Sequence, residues 1–231
     1  AGWFPWIYSQ CHLQSGMNVL ELGCGDGALW KQNFSLLPQD IHITLSDISD
    51  GMLRDARRAL GARDSRFSFA AFDCEKIPAP SESYDLVIAN HVLFYCDNLE
   101  NVCKEVRRVL KPGGRFLCST YGNSHMKEIS QLVSQFDERI VLSANKLYEK
   151  FGRENGAQVL EPWYSRVEWI SYEDGLLVSD PEPLISYILS CHGNQNQYLL
   201  DHYKEFRSFV KRKTEKGFHI TKDAGIFICN Y

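Results

Sequence analysis

The chain has 231 residues, of which 44% are hydrophobic and 23% are charged. This balance is typical of one globular domain and excludes wholesale disorder, collagen and coiled coil. The net charge of −4 gives no reason to expect DNA, RNA or a membrane as a partner, and no apolar run approaches the ~20 residues that cross a bilayer.

Eight cysteines are scattered along the chain without a CxxC pair or the spacing of zinc ligands. We therefore expect reduced thiols, no metal site and a cytoplasmic location. The sequence begins at Ala1 rather than at a methionine, and we expect that further residues precede it.

Predicted strands and helices alternate along the first half of the sequence, after a short amphipathic helix at 3–14. Strands are predicted at 17–22, 41–45, 67–72, 84–89 and 115–120, and helices at 28–36, 52–60 and 98–110. This alternation predicts a parallel sheet with helices on both faces, and the apolar runs VLEL and LVIA fit strands that are buried on both sides. In the second half, helices are predicted near 125–136, 154–161, 182–190 and 196–216, and strands near 165–171 and 226–229.

The strongest local signal is the segment ELGCGDG at residues 21–27, between the first strand and a helix. Glycines are needed where a backbone turns tightly against a ligand, and ligands of open α/β sheets bind at the carboxyl ends of strands. The pattern Gly23-x-Gly25-x-x-Ala28 also satisfies the dinucleotide fingerprint, so an NAD(P)-dependent oxidoreductase is an alternative. However, Asp26 and Glu21 would repel a pyrophosphate, whereas S-adenosylmethionine carries a sulfonium cation and no phosphate.

Two further acids end the second and third predicted strands. Asp47 can accept hydrogen bonds from both hydroxyls of a ribose, and Asp73 can accept one from an adenine amino group while the Cys74 backbone pairs with a ring nitrogen. Each acid alone is typical of a turn. Three consecutive strands that end in an acid or a glycine loop at one edge indicate an adenosine site.

The segments ELGCGDG, SDIS, FDCEKIP, YDLVIANHVL and RVLKPGG occur in the order of the motifs of class I S-adenosylmethionine-dependent methyltransferases. Over residues 17–120 the chain resembles the bacterial, small-molecule type of this family. The resemblance implies a Rossmann-like, three-layer α/β/α fold around a seven-stranded sheet, parallel except for its last strand. It also implies S-adenosylmethionine as cofactor and S-adenosylhomocysteine as product.

The same resemblance assigns roles in cofactor binding. Gly23 and Asn90 would hold the methionine end, Asp47 the ribose, Ile48 and Met52 the adenine face, and Asp73 with Cys74 the adenine edge. Glu21, Cys24 and Gly25 complete the predicted cofactor site. Cys24 is interpreted as a small residue that fills space, because no basic residue lies next to it in the sequence to activate a thiolate.

Methyl transfer requires an acceptor held in line with the methyl group, so a dedicated catalytic side chain is not essential. A hydroxyl or ammonium acceptor needs a base, and histidine is the commonest choice near neutral pH. His91 after the fourth strand is the predicted base, with a capping or surface role as the alternative. Tyr95, His125 and Tyr8 are predicted to contact the acceptor.

These patterns predict one methyltransferase domain over residues 1–231, with a cofactor-binding core at 15–122 and a helical insertion at 172–222. The last two strands need only a short hairpin loop, yet roughly fifty residues separate them, so we expect helices that cover the carboxyl edge as a lid. The alternative is a decoration on the far side of the sheet. The predicted acceptor is a small molecule, and a non-catalytic S-adenosylmethionine-binding protein is a second functional alternative.

Overall fold

The computed structural model describes residues 2–61, 64–143 and 146–231, so Ala1 lies outside the described residues. The strands are β1 (Asn18–Leu22), β2 (His42–Asp47), β3 (Phe67–Ala71), β4 (Tyr84–Asn90), β5 (Leu110–Tyr121), β6 (Arg166–Ser171), β7 (Asp174–Val178), β8 (Phe218–Lys222) and β9 (Ala224–Asn230). The helices are α1 (Trp3–Cys11), α2 (Ala28–Gln32), α3 (Asp50–Leu60), α4 (Leu99–Val109), α5 (Lys127–Phe136), α6 (Leu147–Lys150), α7 (Gly156–Leu160), α8 (Pro181–Ser190), α9 (Gln195–Leu199) and α10 (Tyr203–Thr214).

Seven strands form one sheet in the order β3-β2-β1-β4-β5-β9-β6. Adjacent strands among β1 to β5 pair in parallel, whereas β9 runs antiparallel between β5 and β6. The predicted mostly parallel seven-stranded sheet with an antiparallel last strand is confirmed. The strand order reverses at β1, which has β2 on one side and β4 on the other, and such a reversal opens a crevice at the carboxyl ends of the strands.

Two apolar cores cover the two faces of this sheet. Leu20 and Leu22 of β1 belong to the core under α4 and α7, whereas Val19 faces the core under α1, α2 and α3. Trp30 of α2 is fully buried in that second core. This alternation along one strand, with burial on both sides, is why the apolar run at β1 folds as a central strand in a three-layer α/β/α domain.

Turn and cap residues set the limits of the helices. Ser49 caps α3, because its hydroxyl accepts a hydrogen bond from the Met52 backbone N–H at 3.3 Å. Helix α4 ends at Val109, before the KPGG segment, but β5 already begins at Leu110 rather than at residue 115. The ladder between β4 and β5 shifts register there, so the KPGG segment lies in an irregular part of the strand.

The insertion at 172–222 is predicted to be helical, but a strand lies at each of its ends. These strands, β7 and β8, pair as an antiparallel two-stranded sheet. Between them α8, α9 and α10 are helical, and the single helix predicted at 196–216 is divided into α9 and α10. The two strands are short and their ladder joins segments far apart in sequence, so no local periodicity indicates them. The insertion shares a third apolar core with α5, which includes Leu132, Ile188 and Phe206.

Candidate active site

A cavity of about 480 Å³ lies at the carboxyl ends of β1 to β4, where the strand order reverses. It is lined by Gly23, Gly25, Ser46, Asp47, Ile48, Ser49, Met52, Phe72, Asp73, Cys74, Glu75, His91, Val92, Tyr95, Cys96 and Asp97. The structure therefore brings most of the residues predicted from sequence to one site. Its volume is in the range of cavities that bind small molecules and cofactors.

Two glycines of the loop after β1 line the cavity for different reasons. Both have left-handed backbones, with φ of 64° at Gly23 and 55° at Gly25. A Cβ at Gly23 would lie 2.4 Å from Val92 Cγ2, so this glycine lets the segment after β4 pack over the loop. A Cβ at Gly25 would meet no protein atom within 4 Å and would enter the cavity. The absent side chain at Gly25 leaves this part of the cavity open, and its contact with a cofactor stays a prediction.

Asp47 connects the end of β2 to the glycine loop. One of its carboxylate oxygens accepts a hydrogen bond from the Gly25 N–H at 3.0 Å, and the other accepts one from the Ser49 N–H at 2.9 Å. The Asp73 carboxylate accepts a hydrogen bond from the Glu75 N–H at 2.9 Å and lines the cavity after β3. Both predicted adenosine ligands thus have carboxylates that local backbone bonds hold in place.

Two large apolar side chains on the cavity wall are open to solvent. Ile48 is 78% exposed and Met52 is 46% exposed, although a folded chain normally buries such residues. They follow β2 directly and stand at the start of α3, beside Asp47. An apolar surface next to an acid fits the predicted face and edge of a nucleoside.

The cavity is acidic. Its described lining contains the carboxylates of Asp47, Asp73, Glu75 and Asp97 and no lysine or arginine. At the start of α2, the Ala28 N–H already donates to the Asp26 carboxylate at 3.2 Å. Four acids favour a cationic ligand and would repel a pyrophosphate, so this electrostatic environment argues against the dinucleotide alternative.

Glu21 lies beneath the cavity rather than in its lining. It is 2% exposed, and its carboxyl group accepts a hydrogen bond from Trp30 Nε1 at 2.5 Å. Burial, with smaller effects from the charges of Asp47 and Asp26, raises the pKa of Glu21 to about 8, although the Trp30 hydrogen bond acts in the opposite direction. The carboxyl group is therefore largely protonated at neutral pH, and its role in cofactor binding stays a prediction.

We expect Glu21→Gln to change how stability depends on pH. The protonated carboxyl contributes fully below its ordinary pKa, and this contribution is lost as the pH rises through about 8. Glutamine keeps an oxygen for Trp30 and does not ionise. Urea unfolding between about pH 5 and pH 8 should show the variant gaining stability over the wild type as the pH rises. Parallel curves for the two proteins would contradict the buried, protonated state.

Three other predicted cofactor residues have the following surroundings. Cys24 is buried, and burial raises the pKa of its thiol, so it is not a nucleophile at neutral pH. Asn90 is not among the described residues that line the cavity. Its side-chain oxygen accepts hydrogen bonds from Ser119 Oγ at 2.7 Å and from Trp3 Nε1 at 3.2 Å. Cys74 lines the cavity, with its sulfur 3.2 Å from that of Cys96. The ligand contacts of these residues stay predictions.

His91 lines the cavity immediately after β4 in a left-handed conformation, with φ of 57°. Its backbone N–H donates to Ser119 Oγ at 2.8 Å, and the Trp3 indole stacks on its ring with centroids 5.0 Å apart. Burial, with a smaller effect from His125, lowers the pKa of His91 to about 4. The imidazole is therefore neutral at physiological pH, and its role as the base stays a prediction.

The structure separates the three predicted acceptor residues. Tyr95 lines the cavity. His125 packs against Tyr121, with ring centroids 5.2 Å apart, and lies outside the described lining. The Tyr8 hydroxyl donates to the Leu36 carbonyl at 2.7 Å, so this side chain joins α1 to the loop after α2. Contacts of all three with an acceptor stay predictions.

Sequence reasoning missed Trp3 and Phe94 as neighbours of His91 and did not select Val92, Cys96 and Asp97 for the cavity. The segment 92–97 directly follows β4, so the rule used for the acids after β2 and β3 would have identified it. Trp3 could not be found in this way, because α1 precedes the sheet and reaches His91 only in the folded chain.

The insertion begins and ends at the edge of the sheet that carries the cavity. It starts after Ser171 of β6 and returns before Ala224, which pairs with Tyr121 at the end of β5. Its first residue, Tyr172, packs against Trp3 and Trp6 of α1 with ring centroids 5.1 and 5.0 Å apart. The described cavity lining includes no residue of 172–222, so the lid stays a prediction.

The described residues contain neither a metal site nor a membrane-spanning helix. No group of three or more His, Cys, Asp or Glu side chains is placed to hold a metal ion there. Among the helices of the same residues, none has both the length and the apolar character needed to span a membrane.

Comparisons with known proteins bear on the family of this chain. Residues 20–118 match a family model described as a methyltransferase domain. The chain is 32% identical over 124 residues to the malonyl-[acyl-carrier protein] O-methyltransferase of Enterobacter lignolyticus, covering 52% of this chain and 45% of that protein. It is 33% identical over 128 residues to the reducing polyketide synthase BOA6 of Botryotinia fuckeliana, and the match covers 53% of this chain and 5% of that protein.

The crystal structure of the YcgJ protein of Bacillus subtilis has the same fold. It matches with a TM-score of 0.63 at 15% identity and covers 98% of this chain and 97% of that chain. Together with the sequence match over residues 20–118, the fold and the acidic cavity support a class I S-adenosylmethionine-dependent methyltransferase domain. S-adenosylmethionine is the cofactor of this class, and the open space at Gly25 and the four carboxylates fit it.

Proposed function

We propose that this protein transfers the methyl group of S-adenosylmethionine to a small-molecule acceptor. The observation that carries the proposal is the acidic cavity at the carboxyl ends of β1 to β4, with His91 at the β4 side of its wall. The chain spans about half the length of the malonyl-[acyl-carrier protein] O-methyltransferases and a small part of the polyketide synthases that it matches. The activity of the whole protein and its acceptor are therefore proposals.

The proposed roles differ between the two sides of the cavity. On the β2 and β3 side, Asp47 would hold the ribose, Asp73 the adenine amino group and Ile48 the adenine face. When bound, the cofactor supplies a methyl group on a positively charged sulfur, so the leaving group needs no acid. On the β4 side, neutral His91 would take the proton of the acceptor, and holding the acceptor in line supplies much of the remaining rate.

The proposed function is tested by binding and turnover measured separately. Isothermal titration with S-adenosylhomocysteine and with NAD should show binding of the first alone. Incubation with S-adenosylmethionine and a panel of small hydroxyl and amine compounds should release S-adenosylhomocysteine. Binding of NAD alone would overturn the proposal. Cofactor binding without turnover across the panel would favour the non-catalytic alternative.

We expect Asp47→Ala to weaken S-adenosylhomocysteine binding by about 1.5–3 kcal/mol, or roughly ten- to a hundredfold, because a charged acceptor is lost. Isothermal titration measures the change. The matched control is Asp40→Ala, since Asp40 is an exposed acid outside the described lining and bonds to Ser15. Affinity equal to that of the wild type would remove Asp47 from the ribose site.

A further inference from the structure

Two cysteines meet in the wall of the cavity. Cys74 lies in the turn after β3, and Cys96 follows the short 3-10 helix Leu93–Tyr95 after β4. Their sulfur atoms are 3.2 Å apart, and both residues belong to the described cavity lining. Cys74 is half-buried and Cys96 is 8% exposed. A small molecule that enters the cavity therefore reaches a pair of neighbouring thiols.

A hydrogen bond holds the two segments side by side. The Glu75 carboxylate, next to Cys74, accepts this bond at 2.7 Å from the N–H of Asn98, which lies just beyond Cys96. A disulfide has a sulfur–sulfur bond of about 2.05 Å, so the two sulfurs must approach each other by about 1.1 Å. Because the segments are already joined, we expect a local shift in the folded chain to be sufficient.

No other cysteine pair of the described residues has this setting. Cys118 also forms a hydrogen bond with Cys229, but both are fully buried in the sheet and outside the lining. Cys191 is half-buried like Cys74, but it lies outside the described lining, and its thiol donates to the Tyr187 carbonyl at 3.4 Å. An oxidant in the cavity would therefore act on Cys74 and Cys96.

The contact between the two thiols makes them chemically different. The hydrogen bond with Cys74 lowers the pKa of Cys96, against the effects of burial and of the charges on Glu75 and Asp73. The same hydrogen bond, together with burial, raises the pKa of Cys74. Cys96 is therefore the attacking thiolate, and Cys74 is the resolving thiol. The carboxylates of the lining oppose an anionic oxidant, so a small neutral peroxide fits this site.

We propose that Cys74 and Cys96 form a redox modification site, at which hydrogen peroxide converts the two thiols into a disulfide that weakens cofactor binding. The Cys96 thiolate attacks one peroxide oxygen, the oxygen–oxygen bond breaks, and the leaving hydroxide forms water with the proton that the thiol had released. The Cys74 thiol then attacks the sulfenic acid sulfur of Cys96, which forms the sulfur–sulfur bond and releases a second water. The two thiols are oxidised and the peroxide is reduced, so no further reagent is needed.

The disulfide acts on the predicted adenine end of the cavity. Asp73 and the Cys74 backbone are the predicted partners of the adenine edge, so the position of Cys74 matters for the ligand. Drawing the Cys74 turn toward Cys96 by up to about 1 Å would lengthen the predicted hydrogen bond from the Cys74 N–H and weaken it steeply. The effect on cofactor binding rests on the proposed function, whereas the formation of the disulfide does not.

The test compares the full chain reduced with dithiothreitol and the same chain after treatment with hydrogen peroxide and removal of the oxidant. Peptide mass spectrometry without reductant should find Cys74 linked to Cys96. Isothermal titration should show S-adenosylhomocysteine binding at least about tenfold more weakly to the oxidised chain, with recovery after dithiothreitol. Bound S-adenosylhomocysteine should slow the oxidation, because it fills the cavity through which the peroxide arrives.

Three variants assign the response to this pair, and each is compared with itself before and after peroxide. Cys96→Ser should lose most of the change in affinity, and Cys74→Ser repeats the test at the more exposed partner. The matched control Cys191→Ser should respond like the wild type, because Cys191 is half-buried but lies outside the described lining.

Three results would overturn the proposal. They are the absence of the linked peptide in the oxidised wild type, unchanged affinity of the linked chain, and a full response in Cys96→Ser. If S-adenosylhomocysteine does not bind even the reduced chain, the proposed function fails, and the linked peptide alone then decides whether this pair is a modification site.

Discussion

Gly25→Val is expected to abolish cofactor binding in a protein that still folds. A Cβ at this position meets no protein atom within 4 Å, so the valine side chain would occupy the cavity itself. The left-handed φ of 55° adds strain of about 1–2 kcal/mol for a residue with a side chain. Isothermal titration with S-adenosylhomocysteine should detect no binding, or binding weakened by more than about a hundredfold.

The chain offers a matched control for this strain. Gly16 has a φ of 79°, also has no protein atom within 4 Å of a built Cβ, and is absent from the described cavity lining. Gly16→Val should therefore lower the melting temperature to a similar extent and leave cofactor affinity unchanged. If folded Gly25→Val binds S-adenosylhomocysteine like the wild type, the loop after β1 is only a turn.

His91→Asn is expected to lower kcat by about 10²–10⁴-fold with the acceptor found by turnover screening, because the amide cannot take a proton. Asparagine is chosen because it tolerates the left-handed backbone at this position. Affinity for S-adenosylhomocysteine should be retained. The control is His42→Asn, since His42 is exposed at the start of β2. An unchanged kcat would show that transfer proceeds by positioning alone.

The pH profile gives a second measurement of the same role. Among the described residues, the titratable neighbours of His91 are His125 and Tyr121, both on the β5 side. Because burial lowers the pKa of His91 to about 4, its base form is lost only as the pH falls through that value. We expect kcat/KM to stay level from neutral pH down to about pH 5 and to fall below it, whereas a profile that falls near pH 6.5 would indicate a solvent-exposed base.

The mostly parallel sheet and the position of Asp47 and Asp73 on the cavity wall could be predicted because both depend on local signals. The segments at β1 and β4 are apolar on both faces, whereas a half-buried strand needs apolar residues only at every second position. Asp47 and Asp73 lie at the carboxyl ends of β2 and β3. Parallel strands bring their carboxyl ends to one edge whatever the details of packing. Five motifs in order therefore predict a ligand site at this edge of the sheet.

Tertiary structure alone decided the surroundings of His91 and the form of the insertion. Trp3 reaches His91 and Asn90 from a helix that no motif connects to β4, and β7 pairs with β8 across three helices. It also placed Glu21 beneath the cavity, where burial protonates a residue that sequence predicts to contact the cofactor. The sequence by itself determined the fold class and the cofactor, and it predicts the edge of the sheet for the cofactor site. The partners of buried side chains depend on contacts between distant segments, and local patterns do not encode those contacts.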